Sequence, residues 1–385
     1  MKRPFLIFVL SLWIVSTIIA QNVSFEKQNF IGREQQFSKA SDQLQQGYKL
    51  FERGQAYYEQ ALPLLIVANK FNPQNAELNY KIGLCYFYGP SKPKALEYFS
   101  KAFEIDNAVN PKIEFYLAQC YQLASNWDNA IGHYNSYLST IQNEGSETES
   151  TMAWKKIAEC HTGDSLTRNP VNADIESMGS AVNSKYADYT PCITADESWL
   201  FFTSRRAGTT GGSKDEKDNK FYEDIYLSFY DKDKWLPARN LRSPLNTDNH
   251  DAICGLFPDG YKLFIFKGDK NKGDIYSSDF YNGKWTKPIS LGNKINTAYH
   301  ESSACLSPDG NVLFFVSDRS GGIGGRDIYF SVWDAKKKQW GEARNIGPPI
   351  NTLYDEEGVF MHPDGKTLYF ASNGHDNMGG YDKIG

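Results

Sequence analysis

Two hydrophobic periods divide this chain. From Phe37 to about His161 apolar residues recur at helical spacing, and from about Ala173 onward they fall in short β-branched and aromatic runs separated by Pro-Asp-Gly, Asn and Gly turns. The helical stretch repeats itself. Gly83, Tyr86, Ala95, Phe99 and Ala102 return 35 residues later as Ala118, Tyr121, Ala130, Tyr134 and Tyr137, while Ala61, Leu65 and Ala68 precede Ala95, Phe99 and Ala102 by 34. Small residues at such intervals let paired helices approach, and large ones fill the space between them. Asn72-Pro73 and Asn110-Pro111 mark the breaks, because proline cannot continue a helix. The pattern predicts antiparallel helix pairs stacked as a solenoid over 37–161, with Thr151–His161 as a capping helix. Tyr137 stands where the other copies are small, which predicts looser packing at that end.

The second stretch speaks one phrase four times. An Asn followed by Thr or Ser opens it; five residues after the Asn comes an acid, then a turn, an apolar run, a loop, an Asp that starts a third run, and in three copies a Trp. The turn acids Asp196, Asp259, Asp309 and Asp364 align, giving steps of 63, 50 and 55 residues. In the third copy, Ser303–Ser307, Val312–Ser317, Asp327–Val332 and Trp340–Ile346 read as four short strands. Repeated four-stranded antiparallel sheets of this length are blades of a β-propeller. The segment from Ala173, "ADIESMGSAVNS", matches "PARNLRSPLNT", "KPISLGNKINT" and "EARNIGPPINT", so the region opens with the last strand of a blade. The fourth copy reaches only "YDKIG", the middle of a third strand. The expectation is an open arc of three blades and part of a fourth, in a chain that is C-terminally incomplete.

The helical motif "LNYKIGLCYFYG…KALEYFSKAFEID" resembles the tetratricopeptide (TPR) repeat, and "LSPDGNVLFFVSDR" and "HPDGKTLYFAS" resemble the WD40-like, TolB-type propeller repeat of bacterial envelope proteins. The longer pattern, including "INTAYHESSACLSPDG" and "MGGYDKI", looks like a subgroup in which a signal peptide, TPR helices, this propeller and an OmpA-like peptidoglycan-binding domain follow in order. Some members of that subgroup serve type IX secretion and gliding. The resemblance implies a multidomain α plus β protein: a TPR α-solenoid, then a partial TolB-like/WD40-like β-propeller. It also implies that peptidoglycan is reached only through a C-terminal domain beyond this sequence.

Composition narrows the function classes. The net charge is −5 with both signs mixed, and no basic stripe is present to neutralise a run of phosphates, which argues against nucleic acid. Residues 1–20 read as a secretory signal, with Lys2 and Arg3 before an apolar run and Ala20 before Gln21. The expected layout is then 1–20 signal peptide, 21–36 N-terminal segment, 37–161 helical repeats, 162–172 linker and 173–385 propeller. Cys85, Cys120 and Cys160 occupy one repeat position and are expected as small core residues; Cys192 and Cys305 share a blade position, with Cys254 offset by one. The histidines have no zinc spacing, "GGIGGRD" (321–327) lies between strands as a hairpin loop would, and no G-x-S-x-G elbow exists.

Two sets of residues are candidates for function. Tyr48, Tyr80, Phe87, Gln119 and Gln122 fall on the first helices of the pairs, the groove side of a TPR domain, as a surface for an extended peptide or partner helix. Removing Tyr80 and Gln119 there is expected to leave melting nearly unchanged. The acids Asp188, Asp251, Glu301 and Glu356 recur five residues after each Asn. They either cap neighbouring loops or ring a central channel as a cation or ligand site, with Arg206 and Arg319 placed to face them. The sequence therefore predicts a non-enzymatic envelope scaffold or adaptor that binds protein partners, exported to the periplasm and associated with the outer membrane, without cofactor or metal. The alternative is a propeller-based enzyme or ligand-binding protein that uses the acid ring.

Overall fold

The computed structural model describes residues 21–141, 147–170, 172–257, 259–268 and 272–384; the expected signal sequence lies outside them. The chain forms two compact units that meet between Ser146 and Glu147. The architecture is a TPR-type α-solenoid followed by part of a β-propeller with TolB-like, four-stranded antiparallel blades.

In the first unit α1 (Glu34–Phe51) packs on α2 (Tyr58–Phe71), α3 (Ala76–Phe87) on α4 (Ala95–Ile105), and α5 (Ile113–Leu123) on α6 (Trp127–Ile141). The small positions sit where the helices touch: a Cβ on Gly83 would lie 2.6 Å from Phe99, and one on Gly47 2.5 Å from Leu65. Ala61, Leu65, Ala68, Ala95, Phe99, Ala102, Ala130 and Tyr134 are fully buried between them. Asn75 caps α3 by accepting from the Leu78 N–H at 2.8 Å, directly after the Asn72-Pro73 break. Tyr137 does not loosen the third pair. Its ring is buried, 5.1 Å from that of Phe115, so an aromatic pair fills the space that small residues leave elsewhere.

The segment ahead of α1 belongs to this unit. The Val23 N–H donates to Gln74 O at 2.7 Å, and Val23 O accepts from Asn72 Nδ2 and Asn75 Nδ2 at 2.9 and 3.0 Å. Phe25, Phe30, Phe37 and Phe71 form one aromatic cluster with Arg33 over the Phe71 ring. Its residues thus close the first helix pair instead of leading up to it.

The second unit opens with α7 (Glu147–Arg168). This helix runs through most of the expected linker, 162–172. Gly163 alone costs a helix about 1 kcal/mol, the Asp164–Arg168 pair at 2.7 Å spans the last turn, and the first proline is Pro170. The break between units accordingly falls before α7, and Lys155 on this helix lies 4.9 Å from the Tyr354 ring of the fourth blade.

Blade one comprises β1 (Asp188–Ile193), β2 (Trp199–Ser204), β3 (Asp224–Asp231), β4 (Lys234–Trp235) and β5 (Arg239–Asn240); β4 and β5 are two pieces of one outer strand, both paired to β3. Pro237 falls between them and has no N–H to offer. Blade two repeats this with β6 (Asp251–Leu256) to β10 (Ile289–Ser290), blade three with β11 (Glu301–Leu306) to β15 (Arg344–Asn345), and blade four has β16 (Glu356–Met361), β17 (Leu368–Ser372) and β18 (Asp382–Ile384). Each first strand carries a one-residue bulge at the same place. In blade two the bulge takes up Cys254, and Gly255 then pairs with Phe264 as Cys192 pairs with Phe201 and Cys305 with Phe314. Gly255 is required there, since a Cβ would lie 1.8 Å from Ala304 O of the next blade. Cys85, Cys120, Cys160, Cys254 and Cys305 are buried thiols, and all six described cysteines are free.

Candidate functional site

The four recurring acids begin the first strands of the four blades, and each is used up within its own blade. Asp188 accepts from Ser184 N at 2.6 Å, Ser204 Oγ at 2.6 Å and Arg206 Nη2 at 2.7 Å. Asp251 accepts from the N–H and hydroxyl of Thr247 and pairs with Lys267. Glu301 accepts from Thr297 N at 3.0 Å, Thr297 Oγ1 at 2.7 Å, Ser317 Oγ at 2.9 Å and Arg319 Nη2 at 3.3 Å. Glu356 accepts from Thr352 N, Thr352 Oγ1 and Ser372 Oγ at 3.0, 2.7 and 2.8 Å. Asp251, Glu301 and Glu356 are 0% exposed. Burial pushes the Asp188 carboxyl up, but the bonds from Ser204, Arg206 and Ser184 outweigh it and hold it below its ordinary range.

These carboxylates do not face an open channel. The ring of channel acids that the spacing allowed is replaced by four internal clasps, because a Thr or Ser just after the Asn folds back to occupy the carboxylate. Among the described residues no cluster of His, Cys, Asp and Glu could hold a metal ion. Arg206 and Arg319 do reach the acids, and each also donates to a backbone carbonyl: Val182 O at 2.8 Å and Ile295 O at 2.6 Å. Lys267 and His375 bond the matching carbonyls of Leu245 and Ile350 at 3.2 and 2.9 Å.

In the second, third and fourth copies the Asn that opens the phrase has a role that the sequence did not disclose. Asn246 accepts from Ile225 N at 2.9 Å and donates to Ile225 O at 3.0 Å, stapling the entry of blade two to the third strand of blade one. Asn296 does the same to Ile275, and Asn351 to Ile328, all at 2.8–2.9 Å. The recurrence of Asn with Thr was the available signal. What the amide bonds to is set by strand pairing more than twenty residues away, which local spacing cannot show.

One polar network is particular to the first blade. The β2–β3 loop is longer than in the other copies and folds into a small hairpin, with Lys214 bridged to Phe221. Arg205 ties it down through Asp218 and through Phe221 O at 2.6 Å. His250, at the entry of blade two, lies between Glu223 at 2.9 Å and Asp215 at 3.1 Å, and Glu223 also accepts from the Tyr189 hydroxyl. The hydrogen bond to Glu223 raises the His250 pKa against the effect of burial, and Glu223 is held low despite its own burial by His250 and Tyr189.

In the helical unit the proposed groove residues divide. Tyr80 packs 5.8 Å from Phe99 and 6.1 Å from Tyr116, and Phe87 lies 5.4 Å from Tyr116, so both rings are half-buried and lie against the core between α3, α4 and α5. Tyr48 is half-buried under Lys81, whose Nζ is 4.2 Å from its ring. Gln119 is half-buried. Gln122 faces inward: it is buried and accepts from Tyr134 OH at 2.7 Å, a partner on the next helix, α6. The aromatic surface that remains is a row formed by Tyr58, Tyr88 and Tyr116, with the last two hydroxyls 3.2 Å apart and Tyr88 43% exposed.

No protein-family model and no curated protein matches the chain. Among solved structures it is similar to TolB from Acinetobacter baumannii, at 16% identity over 53% of this chain and 41% of that one, with a TM-score of 0.35. It is also similar to the MamA protein, at 18% identity over 36% of this chain and 70% of that one, with a TM-score of 0.29. PcrH in complex with the chaperone binding region of PopD gives 15% identity over 34% of this chain and 95% of that one, with a TM-score of 0.28. The chain thus spans about two fifths of the length of that TolB. Likeness at this distance carries neither an activity nor a partner. No described helix is long and apolar enough to cross a membrane.

Proposed function

We propose that this chain is a non-enzymatic scaffold or adaptor of the bacterial cell envelope, exported to the periplasm and associated with an outer-membrane assembly of the OmpA-like, type IX secretion-related kind. Its helical unit and its propeller unit each present a surface to protein partners. The observation that carries this reading is the fate of the repeated acids. Three are fully buried and Asp188 is half-buried, and each is bonded to its own blade's hydroxyls, N–H groups and, in three blades, a cation, so the repeat's most reactive chemistry is spent on building a frame. A general acid or base needs a carboxyl within reach of substrate, and these four have none to offer.

The helical unit presents the Tyr58, Tyr88 and Tyr116 row to partners, and Tyr88 is its most accessible ring. The test is cross-linking in intact cells with a photo-reactive residue at Tyr88, followed by mass spectrometry. Adducts to envelope proteins are expected. Adducts confined to cytoplasmic proteins would remove the envelope assignment. A Glu301→Gln variant should lower thermal stability, and loss of a turnover instead would revive the enzyme alternative.

A further inference from the structure

One face of the helical unit gathers tyrosines. Phe51, at the end of α1, stacks on Tyr58 at 4.5 Å; from there the rings run to Tyr88 at 6.2 Å, to Tyr116 at 6.5 Å and to Tyr80 at 6.1 Å. The last three steps are crossed at 58°, 81° and 65°, and Phe87 stands at 85° to Tyr88 and 73° to Tyr116. Rings crossed so steeply pack edge to face. The surface they form is ridged, with ring faces set between ring edges; Tyr88 is 43% exposed on it and the other rings are half-buried.

The polar atoms of these rings are phenol hydroxyls with protons to give. Tyr88 and Tyr116 place their oxygens 3.2 Å apart and share one hydrogen bond, which leaves one of the two protons to point outward. The Tyr58 and Tyr80 hydroxyls bond to no described residue. Burial is the first cause that raises the pKa of Tyr58, Tyr80 and Tyr116, and the other phenols of the group add to it, so all three stay neutral donors at neutral pH. At the margin Lys92 is exposed, with Nζ 5.9 Å from the Phe87 ring, and it pairs with no described acid.

We propose that the rings of Phe51, Tyr58, Tyr88 and Tyr116 are a docking site for one kind of partner, an extended proline-rich segment with an acidic residue beside its prolines. A polyproline II chain makes no internal hydrogen bonds and rises about 3.1 Å per residue, so its carbonyls are free to accept and about four residues follow the two ring steps from Tyr58 to Tyr116. Proline has no N–H, so a surface whose polar groups are hydroxyl donors loses nothing by offering few acceptors. Pyrrolidine rings settle on the aromatic faces, and a chain that is already extended gives up little freedom on binding. An amphipathic helix asks instead for a continuous apolar strip, which hydroxyl-bearing ridges interrupt. The acidic residue meets the unpaired Lys92. The proposal rests on the scaffold reading and names the chemistry of the partner segment at this row.

The test uses the protein from Gln21 to Gly385 and a fluorescein-labelled, amide-capped peptide of five prolines with an aspartate at each end, read by fluorescence anisotropy. Saturable binding is expected, about tenfold weaker in Tyr88→Ala, the loss typical of an aromatic anchor. Tyr58→Phe keeps the ring and the fold and removes one donor, and should weaken binding by about threefold. Replacing both aspartates of the peptide by lysine should cost about threefold as well. No saturation at millimolar peptide, equal affinity for a Gly-Ser peptide of the same length and charge, or affinity untouched by Tyr88→Ala overturns the proposal. Tighter binding of an amphipathic helical peptide, lost in Tyr88→Ala, also overturns it and gives the row to a helix. If the proline peptide fails while Tyr88 still cross-links envelope proteins, the scaffold reading stands with another occupant; if it binds while the Tyr88 adducts are confined to cytoplasmic proteins, the site stands and the envelope assignment falls.

Discussion

His250 sits between two carboxylates, and the sign of its effect on stability follows from which way each pKa moves. Its own pKa is raised, first by the bond to Glu223, so the stabilisation it brings is fully present below its unfolded value of about 6.5 and is lost as pH rises through the folded value. Glu223 is lowered, so its share is present above its unfolded value of about 4.3 and is lost as pH falls through the folded one. The triad therefore contributes most between about pH 4.5 and 6.5. His250→Gln should lower the melting temperature clearly at pH 6 and much less at pH 9.5. A gap of constant size across that range would show that the imidazole acts only by its shape. A second contrast at this scale concerns the staples. Asn246→Ala strands the buried N–H and C=O of Ile225 and should cost roughly 2–4 kcal/mol, whereas Asn183→Ala should barely move the melt, because Asn183 is exposed and its amide oxygen accepts from the exposed Ser177 hydroxyl.

At the scale of elements, helix propensity and packing make opposite forecasts for Gly83. Replacing it with Ala gains about 1 kcal/mol of intrinsic helix preference. The new methyl would sit 2.6 Å from the Phe99 ring, and overpacking a close contact typically costs about 1–3 kcal/mol. Packing should win, so Gly83→Ala is expected to melt lower; a higher melting temperature would mean that α3 and α4 can move apart freely. The same contest explains what was legible. Helix pairing showed in the sequence because Gly83, Ala118, Ala95 and Ala130 are small for one steric reason repeated at one interval. The fates of Tyr137, Tyr80 and Gln122 did not show, because each is decided by a ring or hydroxyl on another helix: Phe115, Tyr116 and Tyr134. Tyr80→Ala removes a half-buried ring from that contact and should cost about 1–3 kcal/mol, short of the about 3–5 kcal/mol of a fully buried aromatic. The blades were legible down to the turn acids, since alternation and tight turns are local. The acids' burial was not, because it depends on a Thr or Ser hydroxyl folding back from four residues earlier.

At the scale of the whole molecule, the period of each unit could be read, but the ends of the units could not. A repeat announces its interior by recurrence, whereas its first and last copies are closed by residues that recur nowhere else. The segment 21–36 is such a closure: it has no repeat signature, yet Val23 supplies the carbonyl that Asn72 and Asn75 share, and Phe25 and Phe30 cover Phe37 and Phe71. The helical unit should therefore fold alone as a fragment beginning at Gln21, since the contacts of a solenoid are mostly between neighbours. A fragment beginning at Phe37 leaves two asparagine side chains without their acceptor and an aromatic cluster open to water. Each unmade buried bond costs about 1–3 kcal/mol, and exposing the covered ring surface adds about 25 cal/mol for every Å². The shorter fragment should melt well below the longer one by circular dichroism while keeping its helical spectrum in the cold. Equal melting temperatures would show that the first helix pair is stable without its closure and that 21–36 is only a leader to it.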